Sequence, residues 1–242
     1  MEQQKDVTQM RAITISRQYG SGGGEVARRL ARRLQWRLFD HQMVAQVAHE
    51  MGISPEAAAE HDESLPGIWE QIWQSLQFLQ PPVGIDVPIS NMPAEMRVYL
   101  TTLRQVLDAA YAEGHVVIVG RESQILLAGR SDVLHVRIVA PLEQRTRYVM
   151  QREGLSSHAA QELISRKDAE RNRLLKTEYH ASPDNPVLYD LVINTDFPTL
   201  ERVVDIVLLA LEAKADQHLL DERQRGPASE VVRYPNVGPK QV

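Results

Sequence analysis

The sequence predicts an α/β fold in which a parallel sheet is covered by helices on both faces. Three observations indicate it. An apolar run from Ile13 to Ile15 leads through a glycine cluster at residues 20–24 into a helical pattern. Residues 115–120 are almost continuously apolar, as expected for a central strand that is buried on both faces. Strand-like runs then alternate with amphipathic helical stretches along the chain, which is the order typical of parallel sheets.

The elements are predicted from the period of the apolar residues. The predicted strands lie at residues 13–15, 36–40, 115–120, 133–140 and 191–194. The predicted helices lie at residues 25–34, 43–51, 96–112, 141–153, 156–173 and 200–213. Residues 54–96 are expected to form a helical insertion over one side of the sheet. We therefore expect one domain over residues 11–214, followed by a flexible, charged tail at residues 215–242.

The glycine cluster predicts an anion-binding loop. A strand that turns through glycines into a helix brings free backbone N–H groups and the positive helix end to one point, which suits phosphate. The residues that would bind it are Gly20, Ser21, Gly22, Gly23, Gly24 and Glu25. The phosphate-loop signature G-x-x-x-x-G-K-[ST] is absent, because Gly23 occupies the lysine position and Glu25 lies near the hydroxyl position. The alternative is a tight strand-to-helix turn without a ligand.

Composition and charge argue against several classes of function. The 242 residues are 43% hydrophobic, enough for one sizeable core, and carry a formal net charge of -5. That charge disfavours a general binder of nucleic acid or membrane surfaces. The chain has no cysteine, and no apolar run approaches the roughly 20 residues that span a bilayer. We therefore expect a soluble, cytoplasmic protein with neither nucleic-acid nor membrane partners.

Polar residues follow two of the other predicted strands. Asp40 and His41 end the second strand, and Arg121 and Glu122 come directly after residues 115–120. Ligands of open α/β sheets bind outside the carboxyl ends of the strands, so these side chains are candidates for binding a substrate. His41 is a lone histidine, and the alternative to substrate binding is that it has a structural role.

A segment rich in arginine lies in the predicted helix at residues 156–173 and includes Arg166, Glu170 and Arg173. Arginine suits phosphate because its planar fork binds phosphate oxygens in pairs and keeps its charge. The alternative is a solvated charged helix with i,i+4 pairs such as Arg166 with Glu170.

The chain resembles the nucleoside monophosphate kinases, and the cytidylate kinase-like family most closely, over about residues 11–213. Five stretches carry the resemblance: Ile13-Thr-Ile with Gly20-Ser-Gly, Leu34 to Asp40, Gly120-Arg-Glu122, Arg166 to Arg173, and Leu191 to Asp196. The resemblance implies a parallel sheet of the P-loop NTPase type. It also implies a helical acceptor-binding insertion at residues 54–96 and an arginine-rich lid at residues 152–180.

The same resemblance implies the reaction, which is phosphoryl transfer dependent on ATP and Mg²⁺ to a cytidylate-like nucleoside monophosphate or a related small acceptor. Phosphoryl transfer needs positioning and neutralised charge rather than covalent chemistry. Arg166 and Arg173 would then reach across the phosphates. The residues that would bind the acceptor are Asp40, His41, Arg121, Glu122 and Glu170.

The sequence also departs from the family pattern. The loop lysine and hydroxyl are missing, His41 stands where cytidylate kinases have serine, and Gln46 replaces their acceptor-binding arginine. Ser16-Arg17 keeps a pattern of the divergent relatives, so Arg17 is our candidate for a substitute catalytic cation, with Glu25 on or near the metal. Two alternatives stay open, namely a nucleotide-binding sensor or scaffold without catalysis and a kinase for a metabolite that is not a nucleotide. The sequence does not indicate the oligomeric state.

Overall fold

The computed structural model describes residues 7–40, 104–105, 107–120 and 122–220, and these form one parallel sheet with helices on both faces. The strands are β1 (Ala12–Arg17), β2 (Arg37–Phe39), β3 (Val116–Val119), β4 (Val133–Val139) and β5 (Leu191–Asn194). Their order across the sheet is β2-β3-β1-β4-β5, and every neighbouring pair is parallel. The predicted α/β class and its parallel sheet are confirmed.

Six α-helices are described in these ranges. They are α1 (Gly23–Leu34), α2 (residues 107–113), α3 (Ser123–Leu126), α4 (Leu142–Glu153), α5 (Ser157–Tyr179) and α6 (Leu200–His218). A 3₁₀ turn at Pro186–Leu188 precedes β5. None of the described helices is both long enough and apolar enough to span a membrane.

Strand β1 lies at the centre of the sheet and has an apolar layer on each side. Ile13 and Ile15 are fully buried in one layer, together with apolar side chains of α1 and α6. Ala12 belongs to the opposite layer, with Ile118 of β3 and Leu107 of α2. Because successive side chains of a strand point to opposite faces, the full burial of residues 12–15 fits a strand covered on both sides.

The strand order places the carboxyl end of β1 where the direction of the chain connections reverses. The chain leaves β1 towards β2 on one side, returns through β3 beside β1, and continues to β4 on the other side. A crevice opens at such a switch point, outside the carboxyl ends of the strands. The glycine cluster follows β1 directly and therefore lies at the switch point.

Two helices run further than the sequence pattern predicted. Helix α5 continues past Arg173 to Tyr179, and His180 then ends it in the left-handed conformation. Helix α6 continues past residue 213 to His218, because Leu211 and the buried Ala215 extend its apolar stripe beneath charged neighbours. The predicted helix at 43–51, the insertion at 54–96 and most of the predicted tail lie outside the described residues.

Candidate functional site

The glycine loop between β1 and α1 requires glycine at two positions. Gly20 and Gly22 adopt positive φ angles of 82° and 78°, in the left-handed region that side chains disfavour. A Cβ atom on Gly20 would lie 2.9 Å from Cγ2 of Val149, and one on Gly22 would lie 2.8 Å from Cδ2 of Leu200. Helices α4 and α6 therefore pack directly against the loop backbone, which sets its shape.

The loop presents its backbone at the start of α1. The first-turn N–H groups of Gly23 and Gly24 have no intrahelical partner, and the N-cap Gly22 has no side chain that could bond to them. A Cβ on Gly24 would meet nothing within 4 Å, so this turn faces open space. Ser21 is buried, and its hydroxyl donates to the Gln18 carbonyl at 2.9 Å. The serine side chain therefore closes the loop, and the backbone is what an anion would meet.

Arg17 lies across the base of this loop. A Cβ on Gly23 would be 2.7 Å from Cβ of Arg17, so the loop has no room for a lysine at this position. A Cβ on Gly120, just after β3, would collide with Nη1 of Arg17. The Arg17 side chain therefore runs from the start of α1 to the end of β3, and its guanidinium group lies at the carboxyl edge of the sheet.

Helices α4 and α5 hold the entrance of the loop through one carboxylate. Asp168 accepts a hydrogen bond from the Tyr19 backbone N–H at 2.8 Å, and its second oxygen lies 2.5 Å from Nη1 of Arg145. Arg145 is buried and donates to the carbonyl groups of Tyr19 at 3.2 Å and Ala140 at 3.1 Å. The backbone that leads into Gly20 is thus fixed on both its N–H and its C=O side.

Arg171 approaches the same backbone from α5. Its Nη1 donates to the Arg17 carbonyl at 3.1 Å and lies 3.6 Å from Asp168. Burial lowers the pKa of Arg171, and the nearby charges of Asp168, Glu170 and Glu122 act in the opposite direction. An arginine keeps its charge at neutral pH in spite of such a shift, so Arg171 is a charged group held beside the loop.

Two guanidinium groups lie over the aromatic ring of Tyr19. Arg152 and Arg171 lie 5.1 and 5.6 Å from the ring centroid, and Nη2 of Arg152 donates to the Tyr19 hydroxyl at 2.8 Å. Burial is the largest cause of a raised pKa for Tyr19, and Arg152 acts against it. The contacts join α4, α5 and the residue before Gly20 into one cluster of stacked cations and an aromatic ring.

Of the three arginines that the sequence analysis predicted to be catalytic, Arg166 and Arg173 lie on the outer face of α5. The Arg166 side chain is 61% exposed and its Nε is 4.0 Å from Glu170, and Arg173 is exposed as well. Glu170 is largely buried and also lies 3.4 Å from Lys167. The alternative of a solvated i,i+4 pair thus describes Arg166 in this conformation, whereas Asp168 and Arg171 face the loop.

The predicted acceptor residues are described only in part. Asp40 follows β2 at the edge of the sheet and is partly buried. Glu122 is buried, has a φ angle of 53° and precedes α3 at the carboxyl end of β3. Its charge reaches Arg171, which links the end of β3 to α5. His41 and Arg121 lie outside the described residues.

Glu25 is engaged by arginines of its own helix. Its carboxylate lies 2.9 Å from Arg28 and 3.0 Å from Arg29, and Arg29 also pairs with Glu201 of α6. The hydrogen bond from Arg29 is the largest cause of a lowered pKa for Glu25. Within the described ranges, no three or more His, Cys, Asp or Glu residues are grouped as a metal site would require.

Sequence reasoning did not assign the residues that hold the loop. These residues are Arg145, Asp168 and Arg171. They lie in helices with many charged residues, so residue type alone does not indicate which side chains face the loop. The spacing of Asp168 and Arg171 is the one available signal, because residues three apart share a helix face. This face turns towards the loop, and Arg166 and Arg173 project elsewhere.

Comparisons with known proteins show which sequences this chain resembles. The sequence model of the cytidylate kinase-like family matches residues 12–197. A cytidylate kinase of Archaeoglobus fulgidus is 30% identical over 204 residues, which are 84% of this chain and 95% of that protein. A uronate isomerase of Corynebacterium glutamicum is 34% identical over 130 residues, which are 54% of this chain and 25% of that protein.

One solved structure resembles the fold over most of its length. An uncharacterized protein from Eubacterium ventriosum superposes with a TM-score of 0.61 at 18% sequence identity. The superposition covers 84% of this chain and 99% of that one. At this identity the likeness supports the fold alone.

Proposed function

This chain belongs to the cytidylate kinase-like family, and we propose that it transfers a phosphoryl group from ATP to a cytidylate-like nucleoside monophosphate or a related small acceptor. The glycine loop carries the proposal. Its two left-handed glycines and its open first helical turn form a cradle at the carboxyl end of the central strand. Backbone N–H groups and the helix dipole favour phosphate at this point.

Mg²⁺ is expected to arrive with the donor nucleotide. The ion prefers phosphate and carboxylate oxygens, and it is commonly held by one or two carboxylates together with substrate phosphates. Glu25 is the carboxylate of the loop, and it fits this role only if it releases Arg28 and Arg29. When bound, the ion neutralises charge on the β- and γ-phosphate oxygens.

Arginines supply the remaining positive charge. During transfer, the bond between the γ-phosphorus and the bridging oxygen of ATP breaks while an oxygen of the acceptor bonds to that phosphorus. We assign to Arg17 the charge that the loop lysine provides elsewhere, because its side chain lies between Gly23 and Gly120 at the reacting edge. Arg166 and Arg173 are assigned to the phosphates in a closed state of the predicted lid at residues 152–180.

The acceptor is assigned to the space between the end of β3 and α5. The charges of Glu122 and Glu170 both act on the half-buried Arg171, which supports placing these two carboxylates beside one ligand. Asp40, His41 and Arg121 complete the proposed set of acceptor-binding residues. Carboxylates suit the hydroxyl and amino groups of a nucleoside, and arginine suits its phosphate.

A sensor or scaffold that binds nucleotide without turnover is the second candidate. Two observations favour it, namely the lack of space for a lysine at Gly23 and the pairing of Glu25 with two arginines. Both features weaken catalysis more than binding, because the backbone cradle does not depend on either side chain.

Two measurements on the full chain test the proposal. ADP release is followed with ATP, Mg²⁺ and a panel of nucleoside monophosphates, and ATP binding is measured by calorimetry. We expect ADP release that depends on at least one monophosphate. ATP binding without release supports the sensor, release only with a metabolite that is not a nucleotide supports a metabolite kinase, and the absence of both contradicts the proposal.

Gly22→Val tests the loop itself, since its Cβ would collide with Leu200. Gly129→Val is the matched control, because Gly129 also has a positive φ, 76°, with nothing within 4 Å of its Cβ position. We expect a folded Gly22→Val protein to lose ATP binding and the Gly129→Val protein to keep it.

A further inference from the structure

A cavity of about 440 Å³ lies beside the carboxyl-terminal part of α5. The helix forms one wall, and the segment 181–183 that follows the helix forms the other. The volume is within the range of small-molecule sites. Its described lining residues include no carboxylate, and they are Asn172, Lys176, His180, Ala181, Ser182 and Pro183.

The helical wall begins next to the proposed acceptor site. Arg171 donates to the Arg17 carbonyl at 3.1 Å, and Asn172 is the next residue of the helix. Asn172 and Lys176 are four residues apart, so they share one face of α5. Lys176 lies five residues beyond Arg171, which is a rise of about 7.5 Å along the helix. The cavity therefore starts beside Arg171 and continues along α5.

The opposite wall is held by contacts to the same central strand. The Pro183 carbonyl accepts from the Tyr189 hydroxyl at 3.0 Å, and this hydroxyl lies 3.3 Å from Oγ of Ser16. The buried Arg137 donates to Oγ of Ser16 at 3.2 Å and to Asp184 at 2.9 Å. Both walls of the cavity are therefore fastened to the carboxyl end of β1, where the proposed kinase site lies.

The polar side chains of the cavity are available to a ligand. Within the described ranges, the side chains of Asn172 and Lys176 make no hydrogen bond and no ion pair. Oγ of Ser182 accepts from the Asp184 backbone N–H at 3.2 Å, which leaves its O–H group to donate. An ammonium group has three N–H donors and no acceptor. The cavity therefore presents mainly donors, and one of them is charged.

The end of α5 does not engage the Lys176 ammonium group. A cation in the last turn complements the helix dipole, and Lys176 occupies that turn. However, the carbonyl groups of Lys176 and Leu175 accept from the backbone N–H groups of His180 and Ala181, at 3.2 and 3.3 Å. The backbone thus closes this end of the helix, and the ammonium group can turn to the cavity.

We propose that the cavity receives a second anionic group of the acceptor, a phosphate or a carboxylate, whose oxygens accept hydrogen bonds from Lys176, Asn172 and Ser182. The inference rests on the proposed function, because that function places the acceptor beside Arg171. It narrows the acceptor to a molecule with two separate anionic groups, one of which receives the phosphoryl group. Cations and neutral donors suit such a group, and no acidic side chain among the described lining residues repels it.

The test measures binding to the full chain by calorimetry at constant ionic strength, without turnover. Cytidine 3′,5′-bisphosphate is compared with cytidine 5′-monophosphate, and orotidine 5′-monophosphate with uridine 5′-monophosphate. The first pair differs by a phosphate and the second by a carboxylate. We expect the doubly anionic ligand of at least one pair to bind about tenfold tighter than its partner, as charge-assisted hydrogen bonds allow. The pair that differs identifies the group.

Lys176→Met locates the second anionic group. The Lys176 side chain is exposed, so the variant should fold, and it should weaken the doubly anionic ligand about tenfold and remove the difference within the pair. A merely structural defect would weaken both ligands of the pair and keep their ratio. Arg202→Met is the control, because Arg202 is a 77% exposed cation of α6 outside the cavity, and it should keep the difference.

The outcomes separate this inference from the proposed function. Equal affinities within both pairs, or a difference that persists in Lys176→Met, overturn the inference, while binding of the monophosphates leaves the proposed function standing. If none of the four ligands binds, a nucleotide acceptor is contradicted, and this inference fails with it.

Discussion

Asp168 of α5 accepts a 2.8 Å hydrogen bond from the backbone N–H of Tyr19, the residue directly before Gly20. The same carboxylate pairs with Arg145, which in turn donates to the Tyr19 carbonyl. A single side chain of the predicted lid segment therefore fixes the peptide groups that lead into the glycine loop. If residues 152–180 move as the predicted lid, a displacement of α5 would reach the glycine loop through this carboxylate.

Asp168→Ala should loosen the loop as well as destabilise the protein. It leaves the buried Arg145 without its carboxylate, at a cost of about 2 kcal/mol or more in the free energy of unfolding. Apparent affinity for ATP should fall about tenfold or more, because a small displacement of positioning groups is costly. Urea denaturation and calorimetric ATP titration measure the two effects.

Glu162→Ala is the control for this change. Glu162 is an acidic residue of the same helix with a 70% exposed side chain. It should alter neither quantity. ATP affinity that is equal in the two variants would show that Asp168 is a structural brace alone.

The fold was predictable from the sequence because its signals are local. Continuous apolar strands, glycine turns and helical periods each depend on neighbouring residues, and β1 with its loop and α1 agrees closely with them. The predicted carboxyl-terminal ends of α5 and α6 were wrong. Charged residues interrupt the apolar pattern there, whereas the buried Leu175 and Ala215 continue the apolar stripe of each helix in the structure.

The candidate site was less predictable because its geometry depends on contacts distant in sequence. Nothing near Gly120 in the chain indicates that Arg17 would occupy the space beside it. Similarly, Asp168 lies among several charged residues of α5, and only the packing of α5 against α4 selects it for Tyr19. Side-chain direction, rather than residue type, was the missing information.

Arg166→Ala and Arg173→Ala test the proposed lid arginines. Both side chains are exposed, so each change should leave the free energy of unfolding within about 0.5 kcal/mol. If they contact the phosphates in the closed state, kcat should fall about a hundredfold or more, by analogy with arginines that stabilise transferred phosphate. Steady-state ADP release measures kcat, and the exposed arginine variant Arg202→Ala serves as the control. Wild-type kcat in both variants contradicts the assignment.

Hydrogen exchange tests the lid at residues 152–180. The side chains of Asp168 and Arg171 bond this part of α5 to the loop backbone, so its amides should be protected even without ligand. The first turns of α5 and the Gly154 turn should gain protection when an ATP–monophosphate bisubstrate analogue binds, because closure excludes water. Equal protection of the whole segment in both states would indicate a fixed helical hairpin.

Glu25→Gln has an expected pH signature. The folded pKa of Glu25 is lowered, so its charge stabilises the fold above the ordinary value of 4.5, and this stabilisation is lost as the pH falls through the folded pKa. The variant should be less stable than the wild type at pH 7 by up to about 1 kcal/mol, and the difference should vanish in acid. Denaturation curves between pH 3 and 7 measure it.

Glu201→Gln separates the metal role from the ion pairs. Glu201 lies on α6 and pairs with Arg29 and Arg33 of α1, the helix that also contains Glu25. If Glu25 contacts Mg²⁺, only Glu25→Gln should raise the Mg²⁺ concentration that gives half-maximal ADP release. An equal Mg²⁺ requirement in both variants assigns Glu25 to the ion-pair network alone.

Arg17→Ala tests the substitute cation. The Arg17 guanidinium lies beside Gly120, where it would face the transferred phosphate, and Gly23 supplies no positive side chain. Removing a contact made in the transition state lowers kcat without a matching loss of stability. We expect kcat to fall about a hundredfold or more, with a small change in the urea midpoint and a partial recovery in Arg17→Lys.

Arg11→Ala is the matched control, because Arg11 precedes the opposite end of β1 and donates to the Ala112 carbonyl. Unfolding of Arg17→Ala, or activity equal to that of Arg11→Ala, would make Arg17 a brace of the sheet and favour a protein that binds nucleotide without turnover.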